Sequence, residues 1–324
     1  HSKGETKAAI NYYEQALAWF QEPGVSEEGD KEAEALVQFS LGIAYHQDRN
    51  YEKAAQILEQ SSQQLEKLGD RALQGIALSY WGKALLGLNQ SNQALERLEQ
   101  SLPLLQEAGN ISQEAESWLA IGGSHLLQEN PQSSLEAFQQ ASRLYRQQNN
   151  RYGEAIATEG LGLAYYQLEQ YSQSLDSYQQ AATIFAELNL SDRQGRVLRR
   201  AAWVYVKLEQ PQQALATSQQ ALEAFQKAGD RLQVGITLYG IGRTYSQLGE
   251  YQTALQSYQE ALTVFEELGD RSRQAIVLYD MGLAHSRINQ SQEALKAYQQ
   301  SLSIFQELGD NQAASAVRKE IEKQ

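Results

Sequence analysis

A 40-residue period runs through most of this 324-residue chain and limits its fold more than any other feature. Three columns of residues recur at that step. The first column is glycine in six of its seven slots: Gly42, Gly82, Gly122, Gly162, Ala202, Gly242 and Gly282. The second column contains only small residues: Ala54, Ala94, Ser134, Ser174, Ala214, Ala254 and Ala294. The third column contains only large residues with an apolar body: Leu65, Leu105, Tyr145, Phe185, Phe225, Phe265 and Phe305. A period between about 20 and 50 residues indicates a solenoid of stacked units.

The spacing of apolar residues within a unit predicts two helices. Leu238, Ile241, Gly242 and Tyr245 stand at positions i, i+3, i+4 and i+7, and the next apolar run of the unit keeps a similar spacing. A Leu-Gly-Asp step closes several units, and it combines a glycine C-cap with an aspartate N-cap for the following helix. Each unit is therefore predicted to be a helical hairpin.

The period also defines the domain organisation. Seven units fill residues 31–310, with bounds at 31–70, 71–110, 111–150, 151–190, 191–230, 231–270 and 271–310. Residues 1–30 are predicted to hold the second helix of a truncated repeat followed by a loop, because residues 3–10 align with residues 248–255. Residues 311–324 are predicted to form a C-terminal capping helix, as a repeat array requires. The fold class predicted for the chain is an all-α solenoid.

The composition excludes several classes of partner. The chain has 27 Lys and Arg against 40 Asp and Glu, a net charge of −13, which disfavours binding to a phosphate backbone. It has no cysteine, and no run approaches the roughly 18 apolar residues that a membrane span needs. We therefore expect no nucleic-acid or membrane partner. The chain is further predicted to be a monomer, with an oligomer as the alternative, and to be cytoplasmic. Its richness in Gln and Ala suggests a bacterial source.

The sequence offers no pattern for catalysis. No two of its four histidines have the i, i+4 spacing of a helical metal site. His125 and His285 fall in an aromatic column and are interpreted as packing residues. Gly160-Leu161-Gly162 lies inside a predicted helix with no strand before it, so it does not fit a dinucleotide-binding turn. We predict no metal, no cofactor and no enzymatic activity.

One predicted helix stands out by its charge. Its packed stripe consists of Leu198, Ala201, Ala202, Tyr205 and Leu208. A different face carries cations and a tryptophan: Arg196, Arg199, Arg200, Trp203 and Lys207. Between Asp192 and Glu209 five cationic side chains stand against two acidic ones, a local charge of +3. Trp and Arg are enriched in binding hot spots, and Arg binds carboxylates through two parallel hydrogen bonds. This face is a candidate binding surface.

The repeat columns resemble the tetratricopeptide repeat family, whose pattern has a Leu-Gly step and a Tyr in the first helix and small, aromatic and small positions in the second. One match consists of Leu161-Gly162, Tyr165, Ser174, Tyr178 and Ala181, and another of Ile241-Gly242, Tyr245, Ala254, Tyr258 and Ala261. The resemblance covers nearly the whole chain and implies a right-handed superhelix of helical hairpins. Family repeats are typically about 34 residues long. The 40-residue form is similar to arrays in Pins-type polarity scaffolds, kinesin light chains and many bacterial regulators.

The resemblance also implies a concave groove lined by the first helices, which binds a peptide or protein segment. The groove residues it implies are Lys83, Glu159, Arg196, Arg199, Arg200, Trp203, Lys207, Tyr239, Arg243, Tyr279, Asp280 and Arg287. We expect the arginines to hydrogen-bond an acidic segment and the aromatic residues to supply apolar contact. No Asn occurs among these positions, so the Lys/Asn carboxylate clamp of members that bind chaperone tails is not reproduced.

Three alternatives remain open at the level of sequence. The arginines of the fifth unit could pair with acidic side chains of adjacent units, such as Glu159, in an exposed network worth less than about 1 kcal/mol per pair. The array could be the substrate-recruiting or regulatory arm of a larger enzyme, since it resembles repeats fused to CHAT-type caspase-like proteases. It could also be a receptor for a signalling peptide.

Overall fold

The computed structural model describes residues 2–20 and 28–323, and every regular element within these ranges is an α-helix. The helices of the first half are α1 (Ser2–Phe20), α2 (Glu28–Gln47), α3 (Tyr51–Leu68), α4 (Arg71–Gly87), α5 (Ser91–Glu107), α6 (Ile111–Leu127), α7 (Pro131–Gln147) and α8 (Arg151–Gln167). Those of the second half are α9 (Tyr171–Glu187), α10 (Ser191–Lys207), α11 (Pro211–Ala228), α12 (Arg231–Gln247), α13 (Tyr251–Glu267), α14 (Arg271–Arg287), α15 (Ser291–Glu307) and α16 (Asn311–Ile321). The predicted all-α architecture is confirmed.

Helix starts follow the 40-residue step. From α3 onward, second helices begin at 51, 91, 131, 171, 211, 251 and 291, and first helices at 71, 111, 151, 191, 231, 271 and 311. The predicted helix near the N-terminus is α1, whereas residues 21–27 of the loop predicted after it lie outside the described residues.

The joints between hairpins form as the Leu-Gly-Asp step predicts. Gly69 adopts a left-handed backbone with φ of 75°, and its N–H donates to the carbonyl of Glu66 at 3.1 Å. The side chain of Asp70 then accepts the N–H of Leu73 at 3.0 Å, which caps the next helix. The same aspartate cap recurs at Asp230, Asp270 and Asp310. Chain reversal therefore requires only two or three residues.

The chain consists of two compact units, His1–Gln170 (unit 1) and Tyr171–Gln324 (unit 2). The division falls between α8 and α9, inside the predicted repeat at 151–190. Within each unit, consecutive helices pack against each other in chain order. In unit 1 the first helices α2, α4, α6 and α8 also contact one another in sequence. Each unit is thus a stack of helical hairpins.

Close approach between the two helices of a hairpin explains the glycine column. In unit 2, α12 and α13 meet where Gly242 faces the ring of Tyr258, which is 2% exposed. A methyl group at Gly242 would lie 2.6 Å from that ring and 3.2 Å from the carbonyl oxygen of Ala254. Only a residue without a side chain leaves room for the tyrosine at this distance.

Two glycines of α12 allow a matched test of this packing. We expect Gly242→Ala to lower the free energy of unfolding by about 1–3 kcal/mol through overpacking. Gly240 is exposed and has nothing within 4 Å of an added methyl group. Gly240→Ala should therefore raise the free energy of unfolding by about 0.5–1 kcal/mol, because alanine favours the helix. Urea unfolding followed by circular dichroism measures both changes. A Gly242→Ala variant as stable as the wild-type chain, or more stable, would contradict the close packing.

Candidate binding surface

Helix α10 separates its buried and exposed residues as its sequence spacing indicates. Leu198, Ala201 and Ala202 are buried in unit 2. Trp203 is 51% exposed, although tryptophan is usually largely buried, and Arg200 and Lys207 are exposed beside it. The ammonium of Lys207 lies 5.6 Å from the centre of the Trp203 ring, a cation–π distance. An aromatic surface flanked by cations is therefore presented to solvent.

Two arginines of α10 contact the start of α12. Arg196 lies 3.0 Å from Asp192 on its own helix and 3.7 Å from Asp230, the N-cap of α12. Arg199 donates a hydrogen bond to the side-chain oxygen of Gln233 on α12. Burial lowers the pKa of Arg199, and the neighbouring arginine charges act in the same direction. Through these contacts, α10 is linked to the first turn of α12.

Helices α12 and α14 are joined by a tyrosine–aspartate hydrogen bond. The hydroxyl of Tyr239 donates to the Asp280 carboxylate at 2.7 Å. Burial raises the pKa of Asp280, while the Tyr239 hydrogen bond and the charge of Arg243 oppose that shift. Burial also raises the pKa of Tyr239 well above its usual range, and the Asp280 charge adds to the rise. Tyr239 therefore stays protonated and remains a donor at neutral pH.

The remaining predicted residues of unit 2 fall into two cavities. Arg243, Asp280 and Arg287 line one cavity of about 260 Å³ between α12, α13 and α14. Tyr279 lines a second, of about 830 Å³, beside α16. The half-buried ring of Tyr279 also lies 5.9 Å from the ring of Tyr298 on α15. Sequence reasoning missed Ser246, Tyr251 and Tyr258, which line the smaller cavity with the arginines.

Two of the predicted groove residues, Lys83 and Glu159, belong to unit 1. The side chain of Lys83 on α4 is only 15% exposed, and it forms an ion pair of 2.7 Å with Glu116 on α6. Its ammonium also lies 3.8 Å from the centre of the Tyr80 ring. Burial lowers the pKa of Lys83, and Glu116 opposes that change. Glu159 is half-buried on α8. Lys83 thus serves the packing of α4 on α6 in this structure.

Charge is sorted between the two kinds of helix in unit 2. The first helices α10, α12 and α14 carry ten Lys and Arg against two Asp, a net charge of +8. The second helices α9, α11, α13 and α15 carry two cations against eight acidic residues, a net charge of −6. The first helices of unit 1, α2 to α8, sum to −4. We call the solvent side of α10, α12 and α14 the first-helix face.

Some of the cations on the first helices form ion pairs within their own hairpin. Arg231 at the start of α12 pairs with Glu267 at the end of α13. Arg271 at the start of α14 pairs in the same way with Glu307 at the end of α15, at 2.6 Å. The cations nearer the middle and the end of the first helices, such as Arg243 and Lys207, remain on the exposed side. The first-helix face is thus basic and aromatic along its centre.

Over 2–20 and 28–323, no group of three or more His, Asp or Glu side chains is arranged to hold a metal ion. Across the same stretches, no helix is both long and apolar enough to cross a bilayer.

The fold and this surface define a helical-hairpin repeat protein with an extended side-chain face for contact. The tetratricopeptide repeat profile matches residues 31–107, 113–187, 154–227, 193–267 and 234–307. The chain therefore belongs to the tetratricopeptide repeat family. No curated protein matches the chain in sequence.

Several solved structures share the fold at low sequence identity. RapI in its apo form is 14% identical, with a TM-score of 0.61 over 86% of this chain and 100% of RapI. Aspartyl phosphate phosphatase F from Bacillus subtilis is 15% identical, with a TM-score of 0.60 over 98% of this chain and 93% of its own. A Rap protein complexed with the competence and sporulation factor is 15% identical, with a TM-score of 0.54 over 96% and 88% of the two chains. At these identities the similarity is one of fold.

Proposed function

We propose that this chain is a non-catalytic protein-interaction module whose first-helix face binds an acidic peptide or protein segment. The observation that carries the proposal is the sorting of charge within unit 2. Its first helices have a net charge of +8 and its second helices −6, in a chain of −13 overall. A potential of this sign attracts acidic ligands to one side of the unit and keeps them from the other.

Charged and aromatic side chains of the first-helix face make different contributions to the proposed binding. Arg200 and Lys207 offer hydrogen bonds and positive charge to carboxylates, and the guanidinium of Arg200 suits a bidentate pair. Trp203 lies between them and buries apolar area when a ligand covers it. Arg196 and Arg199 already form contacts with Asp230 and Gln233 at the start of α12. The binding energy is therefore expected to concentrate at Trp203 and its exposed neighbours.

A structural neighbour supports binding by an array of this fold. The Rap protein that shares the fold was solved in a complex with the competence and sporulation factor. Repeat arrays in general offer extended surfaces for partners. Which partner this chain binds is decided by its own side chains, and those of unit 2 favour acidic segments.

The first test replaces the exposed tryptophan. The probe is an array of 12-residue peptides rich in Asp and Glu, each paired with a version carrying Asn and Gln instead. We expect the acidic versions to bind, and Trp203→Ala to weaken the best of them by about 30-fold, the equivalent of about 2 kcal/mol for a hot-spot residue. Fluorescence anisotropy measures the affinity.

Trp19 provides the matched control, because it is also 51% exposed but lies on α1 of unit 1. Trp19→Ala should leave the affinity unchanged. Equal binding of the amide versions, or equal losses from the two tryptophan variants, would refute an acidic site on the first-helix face.

A further inference from the structure

The smaller cavity of unit 2 has an unusual combination of charges. It lies between α12, α13 and α14 and has a volume of about 260 Å³, lined by Arg243, Ser246, Tyr251, Asp280 and Arg287 among others. Water occupies roughly 30 Å³ per molecule in the liquid. The space is therefore large enough for one short acidic side chain together with several waters.

The lining presents more donors than acceptors. Two guanidinium groups stand against one carboxylate, so the charged residues of the cavity sum to +1. The Asp280 carboxylate already accepts the Tyr239 hydroxyl at 2.7 Å. Tyr258 lies 3.2 Å from the hydroxyl of Ser246, and burial raises the pKa of Tyr258 to about 12, so it keeps its proton. The lining of the space thus includes arginine, serine and tyrosine side chains, which carry N–H and O–H donors.

We propose that this cavity binds a single carboxylate, and that it anchors one acidic group of the segment bound on the first-helix face. The identification of that segment rests on the function proposed above, but the cavity chemistry does not. A charge of +1 matches a monoanion. A phosphate dianion would leave one negative charge uncompensated next to Asp280, so the cavity should reject it.

Small probes test the cavity without any peptide. We would titrate the full chain, labelled with ¹⁵N, with N-acetylglutamate amide, which has a side-chain carboxylate, and with N-acetylglutamine, which has only an α-carboxylate. N-acetylglutamine amide is the neutral control, and inorganic phosphate, kept at about pH 8 so that it is mainly doubly charged, is the dianion. We expect a carboxylate probe to shift the amide signals of α12 to α14 at least about tenfold more strongly than phosphate at the same concentration. Binding of N-acetylglutamate amide would indicate that the cavity holds an acidic side chain, and binding of N-acetylglutamine that it holds a C-terminal carboxylate.

Three variants sharpen the test. Arg287→Gln should abolish the shifts, whereas Lys296→Gln, which removes an exposed cation from α15, should leave them intact. Asp280→Asn keeps an oxygen for Tyr239 and raises the cavity charge to +2, so phosphate should then bind about as well as the carboxylate. Circular dichroism confirms that each variant is folded. Shifts from the neutral amide, or phosphate binding equally well to the wild-type chain, would overturn the assignment.

The outcomes separate this inference from the proposed function. If the carboxylate probes bind but no acidic peptide does, the cavity proposal stands and the proposed peptide site is refuted. If acidic peptides bind equally well after Arg287→Gln and neither carboxylate probe causes a shift, the proposed peptide site stands and the cavity proposal is refuted.

Discussion

Replacing Phe265 by alanine is expected to lower the free energy of unfolding by about 3–5 kcal/mol, the usual cost of removing a buried phenyl ring. Phe265 on α13 is 1% exposed and belongs to the third repeat column. Its ring faces Gly235 on α12, where an added methyl group would lie 2.9 Å away. The void left by alanine thus opens between the two helices of one hairpin. Urea unfolding followed by circular dichroism measures the loss.

Two companion variants identify the cause of that loss. Leu268→Ala, three residues further along and 45% exposed, should change the free energy of unfolding by no more than about 0.5 kcal/mol. Gly235→Ala should be costly in the wild-type chain, because the methyl group meets both Phe265 and Val264 at 2.9 Å, but less costly in the Phe265→Ala background, where the contact with the phenyl ring is gone. The two changes should therefore couple by about 1 kcal/mol. Strictly additive effects would show that Phe265 and Gly235 do not share a contact.

The fold was predictable because each repeat column reports one packing constraint. Glycine at 242 and phenylalanine at 265 are required by contacts inside one hairpin, and the period repeats those contacts along the chain. A further column with the same period, at 35, 75, 115, 155, 195, 235 and 275, contains only Ala and Gly. The division after Gln170 could not be predicted, since the 40-residue step continues through that point.

The candidate surface was only partly predictable. Helical spacing located Arg200, Trp203 and Lys207 on one side of α10, because exposure depends on the position around a single helix. It could not show that Arg199 contacts Gln233, since that bond joins consecutive first helices. The sequence does contain a pattern that predicts some ion pairs between helices. An arginine is followed by a glutamate 36 residues later in three of them: Arg71–Glu107, Arg231–Glu267 and Arg271–Glu307.

The same sorting of charge predicts the largest effect on binding. A triple variant with Arg200→Glu, Lys207→Glu and Arg243→Glu places three acidic groups on the first-helix face. We expect its affinity for the acidic peptides to fall by at least about 100-fold, because attraction is replaced by repulsion at three points. The wild-type affinity should fall as salt rises from about 0.05 to 0.5 M, since ions screen exposed charges. The residual affinity of the triple variant should rise over the same range.

A second triple variant separates the position of the charges from their number. Lys67→Glu, Arg143→Glu and Lys296→Glu reverse three exposed cations on the second helices α3, α7 and α15. Both triple variants change the net charge from −13 to −19, so their average repulsion of an acidic peptide is equal. We expect the second-helix variant to retain the affinity within about threefold, because none of its new charges lies on α10, α12 or α14. Equal losses in the two variants would mean that total charge governs binding and that the first-helix face has no special role.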